Sequence, residues 1–174
     1  MNKNILAASA AAAALVVAAC ATTPFDRAVA TAKLEPTKGN TTTGTVTFAQ
    51  RMDRVYVTAE VRGLTPGEHG FHMHEKGDCS SGDGMSTGGH WNPDSTPHGP
   101  QGAPHHAGDM PSLVADANGN AKATFSLEGV TVAPGAKSVV GRGLIVHKDP
   151  DDFKTQPTGN AGARVACAVI QASP

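Results

Sequence analysis

The sequence predicts an all-β domain. Short runs of strand-forming residues recur between turn residues along most of the chain, and no convincing helical pattern interrupts them. In residues 55–61 every odd position is apolar, which is the period-two pattern of a strand with one buried face. The chain has 174 residues, about one domain, and only 4% are aromatic. Val, Ala, Leu and Phe must therefore fill two packed sheets or a small closed barrel.

About eight candidate strands are expected. They are residues 27–34, 44–49, 55–61, 70–74, 112–116, 121–127, 139–147 and 164–170. Residues 63–67 read as the turn after the third strand, and Asn118-Gly119 as a hairpin turn. Residues 75–110 fit no strand, since they are rich in Gly, Pro, His and Asp with almost nothing to bury. Loops of that length usually carry a function.

The N-terminus has the pattern of an export signal. A leader with one Lys precedes an apolar run over residues 5–19, which is too short for the roughly 20 residues that span a bilayer. The run ends in Val17-Ala18-Ala19-Cys20, which resembles a bacterial lipobox, where the Cys is acylated. We expect residues 1–19 to be a lipoprotein signal peptide, 20–26 a linker with lipid at Cys20, and 27–174 the folded domain. An ordinary cleavage site beside a coincidental Cys is the alternative.

Charge and cysteine content narrow the class of protein further. The net charge of -1 provides neither a basic face for nucleic acid nor an acidic tail, so nucleic acid is not an expected partner. With Cys20 assigned to lipid, Cys79 and Cys167 remain as one pair. An exported chain in an oxidising compartment is expected to join them in a disulfide, and two buried free thiols are the alternative.

The histidines point to a metal centre. His72 and His74 alternate in a strand-like segment, so both side chains leave the same face and can meet one metal ion. Imidazole suits copper and zinc, and a carboxylate beside imidazoles suits zinc. A solvated or structural histidine is the alternative for any single position. The further candidates lie downstream: His90, His98, His105, His106, Asp109 and His147.

Six motifs, in order and at similar spacings, resemble those of the copper-zinc superoxide dismutase family. Residues 151–157 are similar to its bacterial periplasmic branch. The resemblance implies an eight-stranded antiparallel Greek-key β-barrel, of immunoglobulin-like sandwich architecture, with two long functional loops. The motifs are Gly70-Phe71-His72-Met73-His74-Glu75, Gly89-His90-Trp91-Asn92-Pro93, Pro97-His98-Gly99-Pro100, His106-Ala107-Gly108-Asp109, Leu144-Ile145-Val146-His147 and Gly159-Asn160-Ala161-Gly162-Ala163-Arg164-Val165-Ala166-Cys167.

The resemblance also implies one copper and one zinc per subunit. Superoxide would become dioxygen and hydrogen peroxide by alternate reduction and reoxidation of copper. Catalytic roles fall to His90, which serves both metals and supplies a proton, and to Arg164, which docks the anion. Asp151 would link His72 to His98, and His105 receives no role. The copper ligands implied are His72, His74, His90 and His147, and the zinc ligands are His90, His98, His106 and Asp109.

Leader and resemblance together predict a periplasmic enzyme of a Gram-negative bacterium, anchored to the outer membrane only through lipid at Cys20. It would protect the envelope from superoxide, and a homodimer stays possible. One alternative is a metal-buffering or metal-delivery lipoprotein on the same barrel. Another is a zinc-stabilised domain without a redox metal, which would leave His72, His74 and His147 unexplained. The complete set of ligands and Arg164 favours the enzyme.

Overall fold

The computed structural model describes residues 29–174, so the predicted leader, the whole predicted linker with Cys20, and residues 27–28 of the predicted domain lie outside the described residues. The regular secondary structure in this part of the chain is strand, apart from one short 3-10 turn at Met85–Thr87. None of its helices is long and apolar enough to cross a membrane. The strands are β1 (Ala30–Pro36), β2 (Thr43–Arg51), β3 (Arg54–Arg62), β4 (Gly67–His69), β5 (Phe71–His74), β6 (Leu113–Ala115), β7 (Ala121–Glu128), β8 (Gly143–His147), β9 (Arg164–Val169) and β10 (Gln171–Ala172).

The strands form one antiparallel sheet that curls into a nearly closed barrel. Its hydrogen-bonded order is β4-β6-β7-β3-β2-β1-β9-β8-β5, and β10 pairs with β1. The two ends of this path, β4 and β5, are separated in the chain only by Gly70. Closing a sheet in this way removes most of its exposed edges. The predicted all-β barrel is confirmed.

Period-two patterning builds the core. In β3 the side chains of Val55, Val57, Ala59 and Val61 are buried, while the residues between them are exposed. This confirms the expected alternation. Because aromatic residues are few, mostly aliphatic side chains fill the barrel. The largest fully buried apolar side chains are Phe48, Phe71, Leu34, Met73, Met110, Leu113, Leu127, Leu144, Ile145 and Ile170.

Several predicted strand limits were wrong. Gly67 was assigned to a turn but begins β4, and Gly70 was assigned to a strand but separates β4 from β5. Residues 139–142 belong to a turn rather than to β8, although Val139 is fully buried. Burial of an apolar residue does not require a strand, so hydrophobicity alone misplaced this limit. The two-residue β10 is too short to leave a sequence pattern.

A disulfide joins the barrel to the first long loop (residues 75–112), as expected. Cys79 of that loop bonds to Cys167 of β9, with 6.0 Å between the two Cα atoms. The bond closes a segment with a sequence separation of 88 residues. The chain-entropy model assigns about 4 to 5 kcal/mol of stabilisation to a loop of this length.

The first long loop was expected to bury almost nothing, and this was wrong. Trp91 and Met110 are at most 3% exposed and belong to the main apolar cluster. Both residues flank predicted metal ligands, His90 and Asp109. The loop is thus attached to the barrel at the positions that matter for the site. The second long loop (residues 148–163) connects β8 to β9.

Met73 and Met52 provide a matched test of the core. Met73 is fully buried between the two histidines of β5, whereas Met52 is 89% exposed in the β2–β3 turn. We expect Met73→Ala to lower the free energy of unfolding by about 2 to 5 kcal/mol, because it leaves a cavity. Met52→Ala should change it by no more than about 0.5 kcal/mol. Denaturant unfolding of the metal-free protein measures both, and equal effects would contradict the assigned orientation of β5.

Candidate metal centre

The centre is built around the main chain of Met73 in β5. The amide of Met73 donates to the carbonyl of Gly108 (2.9 Å), and its carbonyl accepts from the amide of Trp91 (2.9 Å). The Gly108 amide donates in turn to the Trp91 carbonyl (2.9 Å). Two separate pieces of the first long loop therefore pair with one another and with β5. This pairing sets His90 opposite His74 and Asp109 opposite His72.

Gly108 is required by this close approach. A Cβ at this position would collide with the Met73 carbonyl oxygen and lie 3.0 Å from the Trp91 nitrogen. Any side chain would push the loop away from β5. Gly108 belongs to one of the sequence motifs, but the motif alone predicted no role for it; its position immediately before Asp109 was the available signal.

Four buried histidines form the first cluster: His72 and His74 from β5, His147 from β8, and His90 from the first long loop. One ring nitrogen from each lies within 4.8 Å of the others. The amide of His147 donates to the Gly70 carbonyl (2.8 Å), which fixes the end of β8 beside β5. The structure thus brings together all four predicted copper ligands.

Hydrogen bonds on the outer side orient three of these rings. His72 Nε2 donates to Asp151 Oδ2 (2.7 Å), His74 Nδ1 to the Gly88 carbonyl (2.9 Å) and His147 Nδ1 to the Gly162 carbonyl (3.1 Å). Carbonyl and carboxylate oxygens only accept, so the nitrogen facing them carries the proton. In a neutral ring the nitrogen facing the cluster then has a free lone pair. Imidazoles that bind metals are commonly oriented in this way.

The second cluster converges on one carboxylate oxygen. Asp109 Oδ1 lies 2.8 Å from His90 Nδ1, 3.0 Å from His98 Nδ1 and 3.4 Å from His106 Nδ1. The other oxygen, Oδ2, accepts from the main-chain amides of His106 (2.9 Å) and Gly99 (3.2 Å). All four side chains are buried. Three imidazoles and one carboxylate are a donor set that suits zinc.

His90 belongs to both clusters. Its Nδ1 faces Asp109 in the second cluster, and its Nε2 faces the first. Its ring stacks on that of His72 with 4.0 Å between centroids. One imidazole therefore connects the two sites covalently.

Unpaired nitrogen atoms show that the residues fit metal ions. Burying a polar atom without a partner is costly, and such atoms are rare in folded proteins. Metal ions would satisfy these nitrogens together, because each is the one that faces a cluster. The nitrogens that face a cluster without any partner are His72 Nδ1, His74 Nε2, His90 Nε2 and His147 Nε2. In the second cluster, His98 Nδ1 and His106 Nδ1 face only the shared Asp109 Oδ1, at 3.0 Å and 3.4 Å.

Burial keeps three histidines of the first cluster, His72, His74 and His147, neutral. It lowers the pKa of His72 to about 4, although the hydrogen bond to Asp151 opposes the shift. It lowers the pKa of His147 to about 3 and that of His74 well below its usual value. These rings therefore offer lone pairs at neutral pH, as metal binding requires.

In the second cluster the pKa of His98 is raised, whereas the pKa values of His72, His74 and His147 are lowered. Burial by itself lowers the pKa of His98, but hydrogen bonds and charges from Asp109 and Asp151 outweigh it and raise the pKa to about 9. Burial opposes ionisation of Asp109 and Asp151, yet hydrogen bonds from the neighbouring histidines hold the pKa of both carboxyls well below the usual value. Without metal, His98 is thus an imidazolium between two carboxylates.

Asp151 lies behind both clusters. Besides its bond to His72, it accepts from His98 Nε2 through Oδ1 (2.9 Å). A Cβ at Gly159 would collide with the Asp151 carboxylate and lie 2.6 Å from His98 Nε2. The second long loop therefore contacts a histidine of each cluster through the Asp151 carboxylate. The absence of a side chain at Gly159 leaves space for that carboxylate.

Arg164 is held against the first long loop. Its Nη1 donates to the Gly84 carbonyl (2.6 Å) and Thr87 Oγ1 (2.8 Å), and its Nη2 donates to the Gly88 carbonyl (2.7 Å). The guanidinium is half-buried, which lowers its pKa but leaves it charged. Its charge contributes to the lowered pKa of His74 and His147. A fixed cation therefore lies beside the first cluster.

Two other histidines stay outside both clusters. His105 is partly exposed, and its Nδ1 donates to the Ala103 carbonyl (2.6 Å). His69 is buried, with Nδ1 2.8 Å from the His147 carbonyl and Nε2 2.8 Å from the Thr65 carbonyl. His69 therefore supports the main chain of a cluster residue.

Comparison with known proteins identifies the family. A family model described as copper/zinc superoxide dismutase matches residues 42–170. The chain belongs to the copper/zinc superoxide dismutase family. It is an oxidoreductase that acts on superoxide, and copper and zinc are its cofactors, as the ligand sets predicted.

Relatives from a plant and a nematode agree with this assignment. The chain is 44% identical over 136 residues to Cu-Zn superoxide dismutase 2 of Brassica juncea, covering 73% of this chain and 88% of that protein. It is 40% identical over 156 residues to an extracellular Cu-Zn superoxide dismutase of Brugia pahangi, covering 84% and 77%. The crystal structure of the clock protein EA4 superposes with a TM-score of 0.75 at 38% identity, covering 83% of this chain and 94% of that one.

The charge state of His98 predicts proton release on zinc binding. His98 is protonated at pH 7.5 in the metal-free protein because its pKa is about 9, so a zinc ion at Nδ1 must displace about one proton. Calorimetry in buffers of different ionisation enthalpy measures this number. In Asp151→Asn, which removes a charge that raises this pKa, fewer protons should be released. Equal release by both proteins would contradict the assigned charge state.

Proposed function

We propose that this enzyme dismutates superoxide at a two-metal centre formed by the two histidine clusters. Copper binds His72, His74, His90 and His147, and zinc binds His90, His98, His106 and Asp109. The six buried imidazole nitrogens that face these clusters carry the proposal: four have no partner, and His98 Nδ1 and His106 Nδ1 share Asp109 Oδ1. The hydrogen bonds that fix His72, His74 and His147 from behind support it, since they preset each ring for a metal.

Copper held by His72, His74, His90 and His147 would supply one-electron redox chemistry toward superoxide. The residues around it bind the anion and handle protons. His90 is suited to hold a proton at Nε2, because that atom has no hydrogen bond to protein, while Nδ1 stays beside Asp109. A proton can thus be held at His90 without breaking an existing hydrogen bond.

Arg164 is proposed to attract and dock superoxide. Three of the five N–H donors of its guanidinium would stay occupied by Gly84, Thr87 and Gly88. The remaining donors are free to bind a small anion. Because the side chain is fixed in advance, docking costs little conformational entropy. Its charge also steers anions toward the site.

Turnover by purified variants tests these roles. We expect His147→Ala to lose superoxide turnover together with copper, because one of four ligands is missing. The matched control is His105→Ala, which removes a histidine outside both clusters and should leave turnover unchanged. Arg164→Met should keep both metals but lower kcat/KM by about ten- to a thousandfold.

Metal content and stopped-flow decay of superoxide provide the readouts. Full turnover by His147→Ala would refute the copper assignment. Copper and zinc bound by the wild type without turnover would instead favour a metal-buffering or metal-delivery protein.

We further infer that the enzyme works in the periplasm of a Gram-negative bacterium, protecting the envelope, with lipid at Cys20 as its outer-membrane anchor. The apolar run over residues 5–19 and the lipobox-like sequence that follows it support export and acylation. A disulfide between Cys79 and Cys167 fits an oxidising compartment. The nematode relative is described as extracellular. In this proposal residues 1–19 are removed, residues 20–26 form the linker and residues 27–174 form the enzyme domain.

Replacing Cys20 tests the anchor. In a Gram-negative host we expect the full chain to incorporate labelled palmitate and to fractionate with the outer membrane. Cys20→Ser should lose both properties because it lacks the acylated thiol. The matched control is Thr22→Ser, which changes a neighbouring residue and should behave as the wild type. Wild-type protein found unlabelled in the soluble fraction would contradict the anchor while leaving the enzymatic proposal intact.

A further inference from the structure

Gln156 makes an unusual contact with a proposed zinc ligand. The main-chain amide of His98 donates to Gln156 Oε1 (2.8 Å), and Gln156 Nε2 donates to the His98 carbonyl (2.9 Å). One side-chain amide thus pairs with both polar main-chain atoms of a residue 58 positions away in the sequence. This is how a neighbouring strand pairs with a residue in a sheet. Gln156 therefore provides His98 with a substitute for a strand partner.

His98 needs such a partner because of its place in the fold. It lies in a part of the first long loop that contains neither helix nor strand. The ring is held at Nε2 by Asp151, and Nδ1 faces the second cluster. A bond to the ring tip restrains the ring but leaves the main chain behind it free to shift. Pairing at the main chain removes that freedom.

The turn that carries Gln156 is itself ordered by hydrogen bonds. Asp152 Oδ1 accepts from the amides of Lys154 (2.9 Å) and Thr155 (2.8 Å), and the Gly159 amide donates to the Thr155 carbonyl (2.7 Å). Gln156 Nε2 also contacts the Lys154 carbonyl (3.3 Å). Because this turn is already ordered, Gln156 loses little conformational entropy when it contacts His98.

We propose that Gln156 is a positioning residue for zinc: by pairing with the main chain of His98, it holds His98 Nδ1 in the zinc site and slows loss of the ion. The proposal rests on the assignment of His98 as a zinc ligand. Asp151 and Gln156, five residues apart in the second long loop, hold the same ligand at its ring and at its main chain. Residues behind a metal ligand commonly change metal affinity by about 10- to 100-fold.

Gln156→Met in the full-length, disulfide-bonded protein tests the proposal. Methionine keeps the length and shape of the side chain but forms neither hydrogen bond. We expect the zinc dissociation constant, measured by chelator competition, to rise about tenfold. The copper dissociation constant should stay unchanged and serves as the internal control. The visible spectrum of cobalt placed in the zinc site should change as well, since it reports ligand geometry.

Gln50→Met is the matched control. Gln50 also bonds to main-chain atoms, donating to the carbonyl of Met52 (2.9 Å) and accepting from the amide of Val132 (3.0 Å), but it lies in β2 and touches neither cluster. We expect this variant to retain wild-type zinc affinity and cobalt spectrum. A tenfold loss in Gln156→Met alone supports the proposal. Equal zinc affinity in Gln156→Met and the wild type, or equal losses in both variants, overturns it.

Amide exchange in the wild type keeps the proposal testable if Gln156→Met does not fold. The His98 amide should exchange slowly in the metal-loaded protein because Gln156 Oε1 accepts it. Exchange as fast as in an unstructured peptide would overturn the proposal. Failure of the zinc assignment is distinguished by the wild type, which would then bind no zinc at all.

Discussion

The main-chain pairing around Met73 is the interaction on which the centre depends. Two hydrogen bonds join β5 to two pieces of the first long loop, a third joins these pieces to one another, and the ligands of both clusters are arranged around them. Without this pairing His90 and Asp109 would not be held opposite His74 and His72. The side chain of Met73 contributes on the opposite side by filling the core. A single strand residue thus connects the apolar interior to the metal-binding surface.

The alternation of residue types along the sequence predicted the features of the fold that depend on strand geometry alone. The burial alternation in β3 and the placement of His72 and His74 on one face of β5 both come from the period-two geometry of a strand. The limits of β8 were misplaced because Val139 is buried without belonging to a strand. Short elements such as β4 and β10 depend on their partners rather than on their own sequence. Element boundaries are decided by tertiary contacts of this kind.

The candidate ligands stood out in the sequence because of their types and spacing, and the family resemblance divided them between copper and zinc. The structure gathers them into two clusters. The contacts behind them could not be derived from pattern alone. Gln156 and His98 are far apart in the chain, so no local periodicity connects them. The roles of Gly108 and Gly159 follow from distances to Met73 and Asp151 that only the folded chain defines. The family resemblance suggested Asp151, but the hydrogen bonds that Asp151 makes are visible only in three dimensions.

The shared imidazole of His90 has a thermodynamic consequence. Its Nδ1 and Nε2 face different clusters, so an ion that shifts the ring or its electron density at one site changes ion binding at the other site. If occupancy of the first cluster alters the affinity of the second by some factor, the second must alter the first by the same factor. Loading of the two sites is then cooperative in whichever order the ions arrive. The pair of sites therefore behaves as one binding unit, whose total affinity for the two ions does not depend on the order in which they are loaded.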